Sequence, residues 1–237
     1  MSYLKVRNLS KYFGHLIALQ EVDLDLEKGK SIAIFGDNGA GKTTLIKIIS
    51  TLMNPTSGKI IINGLDLRTD GDAIRNSLGL ISHSLFLYSE LNAIENLRYF
   101  GRLYGVKKLE DRIRVLLDKF GLLPRMYDAV RTFSRGMLQR LAFARAVIHN
   151  PDLLLLDEPF TGLDRSAARI LKKYMEEHKA GGGTSLLATH NLQRGYESAN
   201  QLAIMSEGKM IWKGDSSSLS FDEFKDIYSK DATGAAG

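Results

Sequence analysis

The run SIAIFGDNGAGKTTLIKIIS, residues 31–50, constrains this chain more than any other stretch. SIAIF is short, apolar and rich in β-branched residues, and a glycine follows at once. That combination predicts a buried strand entering a tight turn. From Thr43 onward, TTLIKIIS is apolar at helical spacing. Between the two, GDNGAGKT (36–43) fits G-x-x-x-x-G-K-[ST]. Glycines let consecutive backbone N–H groups turn inward on a phosphate chain, and the helix starting near Lys42 adds its positive end. The residues expected around the phosphates are Gly36, Asp37, Asn38, Gly39, Ala40, Gly41, Lys42, Thr43 and Thr44. Lys42 is expected to reach the β- and γ-phosphates, and the Thr43 hydroxyl to ligate Mg²⁺.

Strands and helices alternate through the rest of the chain, which indicates a mostly parallel α/β core. KIIING (59–64) reads as a strand ending in the turn pair Asn63-Gly64. Over 89–149 the character becomes helical. Asn92 can cap a first helix with Glu95 completing a capping box, and Leu97, Phe100, Leu103 and Tyr104 give it an apolar stripe. A second helix is predicted over 111–120, closed by Gly121, and a third over 136–149, stopped by Asn150-Pro151. LLLL (153–156) reads as a fully apolar strand, 165–179 as a helix, and TSLLATH (184–190) as another strand. Residues 202–214 read as a hairpin turning at Glu207-Gly208. The tail from Ser216 reads as polar and frayed at its end. The N-terminal strands and the final hairpin could supply a small antiparallel sheet.

LLLLDE (153–158) places Asp157 at the carboxyl edge of a strand, where a parallel sheet binds ligands. That carboxylate can hold Mg²⁺ through water, and Glu158 can accept a proton from an attacking water. Two acids after a strand are common; beside a phosphate loop they define a nucleotide site. His190, in ATHN, can reach a γ-phosphate and that water from the end of the next strand. An NKxD guanine-reading motif is absent, which argues against a GTPase.

Composition excludes several classes. With no cysteine among 237 residues, disulfides, thiolate metal sites and a cysteine nucleophile are ruled out. No stretch approaches the roughly 18 apolar residues of a membrane span, and the beginning MSYLKVRNLSKYF lacks the apolar core of a signal peptide. A cytoplasmic location fits. The net charge of +5 is spread along the chain rather than blocked, so no nucleic-acid partner is expected.

In sequence order, the phosphate loop, the helical insertion, FSRGMLQRLAFARA, LLLLDEP, FTGLD and ATH together resemble the ATP-binding subunit of an ABC transporter, over about residues 3–215. The resemblance implies an α/β fold: a P-loop NTPase core (1–88 and 150–237) with a mostly parallel sheet and a small antiparallel β subdomain, plus an inserted helical subdomain (89–149). FSRGMLQR is similar to the LSGGQ-type signature, with Ser134 and Gly136 in the matching places. Arg135 and Met137 depart from its usual glycine and glutamine, and Arg135 adds a positive charge. In this family the signature of one subunit closes over the γ-phosphate held by another. Asp164 in FTGLD is then expected at the dimer seam. Phe13, or its neighbour Tyr12, falls where an aromatic stacks on adenine.

The same resemblance gives His83 a place, in a chain with five histidines. The family usually has glutamine there, opening a loop that touches Mg²⁺, the attacking water and the membrane partner. ISHSLFLYSELNAIENLRYFGRLYGV is also similar to the ATPase subunit of the haem exporter of cytochrome c maturation, and to type-2 exporters more broadly. The implied activity is ATP hydrolysis with ATP and Mg²⁺, with Lys42, Glu158 and His190 catalytic and Thr43 and Asp157 at the metal. It would drive export through membrane-spanning partner subunits, with the chain peripheral on the inner face of the cell membrane and homodimeric when ATP-bound. Two other classes share these motifs: a soluble ABC-type ATPase uncoupled from transport, and a regulatory nucleotide-binding module without turnover.

Overall fold

In the computed structural model, which describes residues 2–234 and the side chains of 2–230, the chain opens with two long strands, β1 (Ser2–Phe13) and β2 (Leu16–Glu27). They form an antiparallel hairpin. The buried strand β3 (Ser31–Phe35) follows and feeds the glycine loop and α1 (Lys42–Ile49). Next come β4 (Ser57–Ile62), β5 (Leu65–Asp66), α2 (Gly71–Ser77) and β6 (Leu78–Ile81). Asn63 and Gly64, with φ of 50° and 82°, make the turn between β4 and β5, the backbone that an Asn-Gly pair favours.

Three helices then occupy the inserted stretch: α3 (Ala93–Leu103), α4 (Leu109–Lys119) and α5 (Arg135–Ala146). The Asn92–Glu95 capping box forms in full. The chain returns with β7 (Leu153–Asp157), α6 (Arg165–Ala180), β8 (Thr184–Ala188), α7 (Leu192–Ser198), β9 (Gln201–Ser206), β10 (Lys209–Asp215) and α8 (Phe221–Gly234).

Two sheets result, an antiparallel one in the order β2-β1-β4-β5 and a larger one in the order β10-β9-β3-β8-β7-β6. The larger is parallel except for β10. Strands β3, β7 and β8 are buried along their whole length, as expected where both faces of a parallel sheet are covered. Alternate residues serve different cores. Ile32, Ile34, Leu153, Leu155 and Leu186 face α1 and the antiparallel sheet. Ala33, Phe35, Leu154, Leu156 and Leu187 face the inserted helices, α6 and Phe224 of α8. No helix among the described residues is long and apolar enough to cross a membrane.

Four expectations need correction. The helix expected to run to residue 149 stops at Ala146, and the strand expected to run to residue 190 stops at Ala188. The final hairpin joins the edge of the larger sheet through β9 and β3, not the antiparallel sheet. Leu103, expected in an apolar stripe, is 68% exposed. Beyond these four, the polar tail from Ser216 forms α8, with Phe224 fully buried, and of the residues 231–237 expected to fray at its end, 231–234 continue that helix. Residues 235–237 at its end lie outside the described residues.

Candidate nucleotide site

The glycines of the phosphate loop are required by close approach as well as by conformation. Gly36 (φ 153°) passes so near β9 that a Cβ would lie 2.2 Å from the Met205 carbonyl oxygen, and one on Gly41 (φ 101°) would lie 2.6 Å from that of Ala18. A side chain at either position would therefore push the loop off the sheet. Gly41 is also the N-cap of α1, with no side chain between the helix end and the loop.

Lys42 is buried, and its ammonium donates to the carbonyl oxygens of Gly36 at 2.6 Å and Asp37 at 2.9 Å. Burial lowers its pKa, against the opposing fields of Glu158, Asp157 and Asp37. Asp157 is buried at the end of β7, and burial pushes its carboxyl up. The nearby Thr43 hydroxyl works against that, as do the charges of Lys42 and Lys47. Thr43 and Asp157 thus bring two hard oxygen donors together. Among the described residues no cluster of three or more acids and histidines could make a protein cage for a metal. This donor set suits Mg²⁺, which keeps its waters and takes phosphate oxygens in addition to one or two protein ligands.

Glu158 follows Asp157 with φ of 50°. That left-handed backbone costs a residue with a Cβ about 1–2 kcal/mol. It is held by its own N–H donating to the Ala188 carbonyl at 2.9 Å, and by its carboxylate. Oε1 accepts the His190 backbone N–H and ring Nδ1, each at 2.8 Å, and Oε2 accepts the Thr189 hydroxyl at 3.1 Å. An ionised carboxylate only accepts, so Nδ1 is the donor in this contact, and Nε2 makes no hydrogen bond to a described residue. Strand β8 lies between β3 and β7, so the phosphate loop, the acids and His190 converge at the carboxyl ends of three adjacent strands.

The remaining candidates make no hydrogen bond to this group. Ser134 caps α5, its hydroxyl accepting the Met137 N–H at 3.3 Å, and Asp164 caps α6, accepting the Ala167 N–H at 2.7 Å. Arg135 is exposed, with its guanidinium over Gly162: a Cβ there would lie 2.5 Å from Nε. No hydrogen bond or ion pair among the described residues joins Ser134, Arg135, Gly136, Met137 or Asp164 to the phosphate loop. Phe13 and Tyr12, at the end of β1, are 45% and 40% exposed, and the Lys11 ammonium sits 5.0 Å from the Phe13 ring centre. His83, just beyond β6, is exposed and makes no hydrogen bond to a described residue.

Two contacts were not anticipated from the sequence. One is the Thr189 hydroxyl on Glu158. The other is Tyr228 of α8, whose hydroxyl donates to Asp37 Oδ1 at 3.3 Å. The sequence signal for the first was a hydroxyl between an apolar strand and His190; nothing local signalled the second.

A glycine loop between a buried strand and a helix, facing an Asp-Glu pair across a parallel sheet, defines a P-loop nucleoside triphosphatase. Comparison with known proteins narrows this. The ABC transporter family model matches residues 19–161. The chain is 37% identical over 205 residues to the ABC transporter ATP-binding protein NatA of Bacillus subtilis strain 168, covering 85% of this chain and 83% of that protein. It is 34% identical over 213 residues to the Nod factor export ATP-binding protein I of Cupriavidus metallidurans, covering 89% and 70%. A solved ATP binding subunit of an ABC transporter superposes with a TM-score of 0.89 at 33% identity, covering 97% of this chain and all of the other. The dimeric cassette MJ0796, solved in a post-hydrolysis state with ADP and Pi, shares the fold at 24% identity with a TM-score of 0.82, covering 90% and 98%. The chain belongs to the ABC transporter family, as an ATP-binding subunit that hydrolyses ATP.

Proposed function

We propose that this chain is the ATPase of an exporter, working as an ATP-dependent homodimer on membrane-spanning subunits. The observation that carries the reading is the convergence of Lys42, Asp157, Glu158 and His190 at the carboxyl ends of adjacent strands, in a chain that also holds a signature helix and Asp164, neither of them hydrogen-bonded to those four residues. One sequence thus carries both halves of a shared site. Lys42 and the loop N–H groups bind the phosphates, and Phe13 or Tyr12 stacks on adenine. Thr43 and Asp157 hold Mg²⁺, which neutralises phosphate charge when bound. Glu158 takes a proton from the attacking water, and His190 positions the γ-phosphate through Nε2. Ser134, Arg135, Gly136 and Met137, on the helical subdomain 89–149, face the partner copy's nucleotide, with Asp164 at the seam.

The export direction is supported by the Nod factor export relative. Neither relative named above is a haem exporter, so the narrower haem reading has no support from them, and the broader type-2 exporter reading stands. What supports a membrane partner is a groove of about 400 Å³ beside the loop that His83 opens, lined by Leu52, Phe86, Tyr88, Phe100 and Tyr104 above Arg145. Its exposed rings and aliphatic chains suit an amphipathic cytoplasmic segment of a membrane subunit. Docked there, the chain would sit on the inner face of the membrane.

The test is the solution mass of Glu158→Gln with and without MgATP, alongside phosphate release. Dimer formation on adding MgATP, with turnover nearly abolished, is expected. A monomer in both conditions removes the homodimer, and wild-type turnover removes Glu158 as base.

A further inference from the structure

Thr189 sits between the end of β8 and His190 and is 2% exposed. Its N–H, methyl and hydroxyl are all committed. Its backbone N–H donates to the Ile34 carbonyl at 3.0 Å, tying it to the phosphate-loop strand. Its methyl lies against α7, where a Cβ on Gly195 would come within 2.9 Å of Cγ2. Its hydroxyl oxygen accepts the Asn191 N–H at 3.1 Å. Asn191 in turn caps α7, its side chain accepting the Arg194 N–H at 3.0 Å. A hydroxyl carries a single proton, and here that proton is directed at Glu158 Oε2, 3.1 Å away.

The acceptor positions of Glu158 can then be counted. A carboxylate offers about four lone pairs, two on each oxygen. Oε1 receives two donors, both from His190, and Oε2 receives one, from Thr189. The remaining lone pair is on Oε2, the oxygen that Thr189 holds.

We propose that Thr189 is a positioning residue for ATP hydrolysis: by fixing Oε2 it sets the rotation of the Glu158 carboxylate and presents that free lone pair to the attacking water. This rests on the reading of Glu158 as the base. In the step itself the water proton passes to Oε2 and the water oxygen bonds to the γ-phosphorus. The bridging P–O bond breaks, and its electron pair leaves with ADP. Thr189 takes no part in the proton transfer; it determines which atom receives the proton.

The experiment is steady-state ATP hydrolysis by the full chain as Thr189→Val and Thr189→Ser, each in the wild-type and Glu158→Gln backgrounds. Val keeps the shape and removes the hydroxyl. Losing one hydrogen bond to a charged group predicts a fall in kcat of about tenfold or more, with KM for ATP unchanged within about twofold. Thr189→Ser should lie within about threefold of wild type, because the hydroxyl is what acts. Added to Glu158→Gln, Thr189→Val should leave the residual rate unchanged, since the carboxylate it positions is gone. If Thr189→Val does not fold, Thr189→Ala takes its place in the same comparison. A Val or Ala variant that turns over at the wild-type rate overturns the inference, as does a Ser variant as slow as Val. Wild-type turnover by Glu158→Gln alone would instead remove the base assignment on which the inference rests.

Discussion

The ring of Phe224, in α8, rests against that of Phe35, the last residue of β3, with centroids 4.8 Å apart and planes at 54°. Both rings are fully buried, and Trp212 and Tyr196 pack around Phe224 with centroids at 5.8 Å and 6.1 Å. The C-terminal helix therefore supports the strand that leads directly into the phosphate loop. Phe224→Ala should cost about 3–5 kcal/mol, the usual loss for a truncated core phenylalanine. Urea unfolding of the two proteins measures it, and a loss under about 1 kcal/mol would mean that α8 contributes little to the core.

Lys42→Ala should weaken nucleotide binding. The ammonium is buried beside the loop, and its bonds to Gly36 and Asp37 hold it within the curve of the backbone. Charge-assisted hydrogen bonds to phosphate suggest a loss of roughly 10- to 100-fold in affinity. Titration with a fluorescent ATP analogue would measure it. Unchanged affinity would separate Lys42 from phosphate binding.

His83→Gln should keep ATPase activity within about tenfold of wild type if each side chain supplies one hydrogen bond to the site. Phosphate release at saturating MgATP is the measurement. Complete loss would mean that the imidazole does something an amide cannot.

His149 gives the fold a pH dependence. Its ring stacks on Tyr104 with centroids 3.9 Å apart, and its Nε2–H donates to the Leu78 carbonyl at 2.9 Å. Burial, with smaller effects from Arg145 and Arg112, pushes its pKa down to about 4, although the bond to Leu78 opposes this. Between that value and the ordinary 6.5, the unfolded chain binds a proton that the folded chain refuses. Stability should therefore fall as pH drops through this window, by up to about 3 kcal/mol once it is crossed. Urea midpoints across pH 7 to 5 would show the slope. His149→Phe, which keeps a ring but takes no proton, should flatten it, and an equal slope in that variant would assign the effect elsewhere.

The motifs proposed to bind nucleotide were legible as contiguous elements because each is local. Strand, glycine loop and helix are contiguous in SIAIFGDNGAGKTTLIKIIS, and LLLLDE places its acids beside its own strand. What was not legible depends on distant partners. Helix α8 buries Phe224 but is otherwise mostly polar, so its periodicity is weak. Its start nevertheless carried a readable signal: Ser220 and Glu223 form reciprocal capping bonds at 2.7 Å and 3.2 Å, the S-x-x-E pattern of a helix N-terminus. The sheet joined by the 201–215 hairpin could not be read locally, because β9 finds β3 across most of the chain. The left-handed backbone of Glu158 gave no sequence signal, since the bonds that hold it come from residues 188–190. Ser134 and Asp164 show a different ambiguity. Both are helix caps, so their residue types are accounted for locally before any role across a dimer is considered.

The strand order has a consequence for how the protein is made. Strand β3 leaves the ribosome before either of its neighbours, β8 and β9, and before residue 224, whose ring packs on Phe35. An apolar strand whose pairing partners are not yet synthesised exposes a surface that sticks to others like it. The phosphate loop can be held in shape only after β8, β9 and Phe224 have emerged. Nucleotide-binding competence should therefore arise late, in a single closing event, and a nascent chain stalled before β8 should require a chaperone rather than ATP to remain soluble.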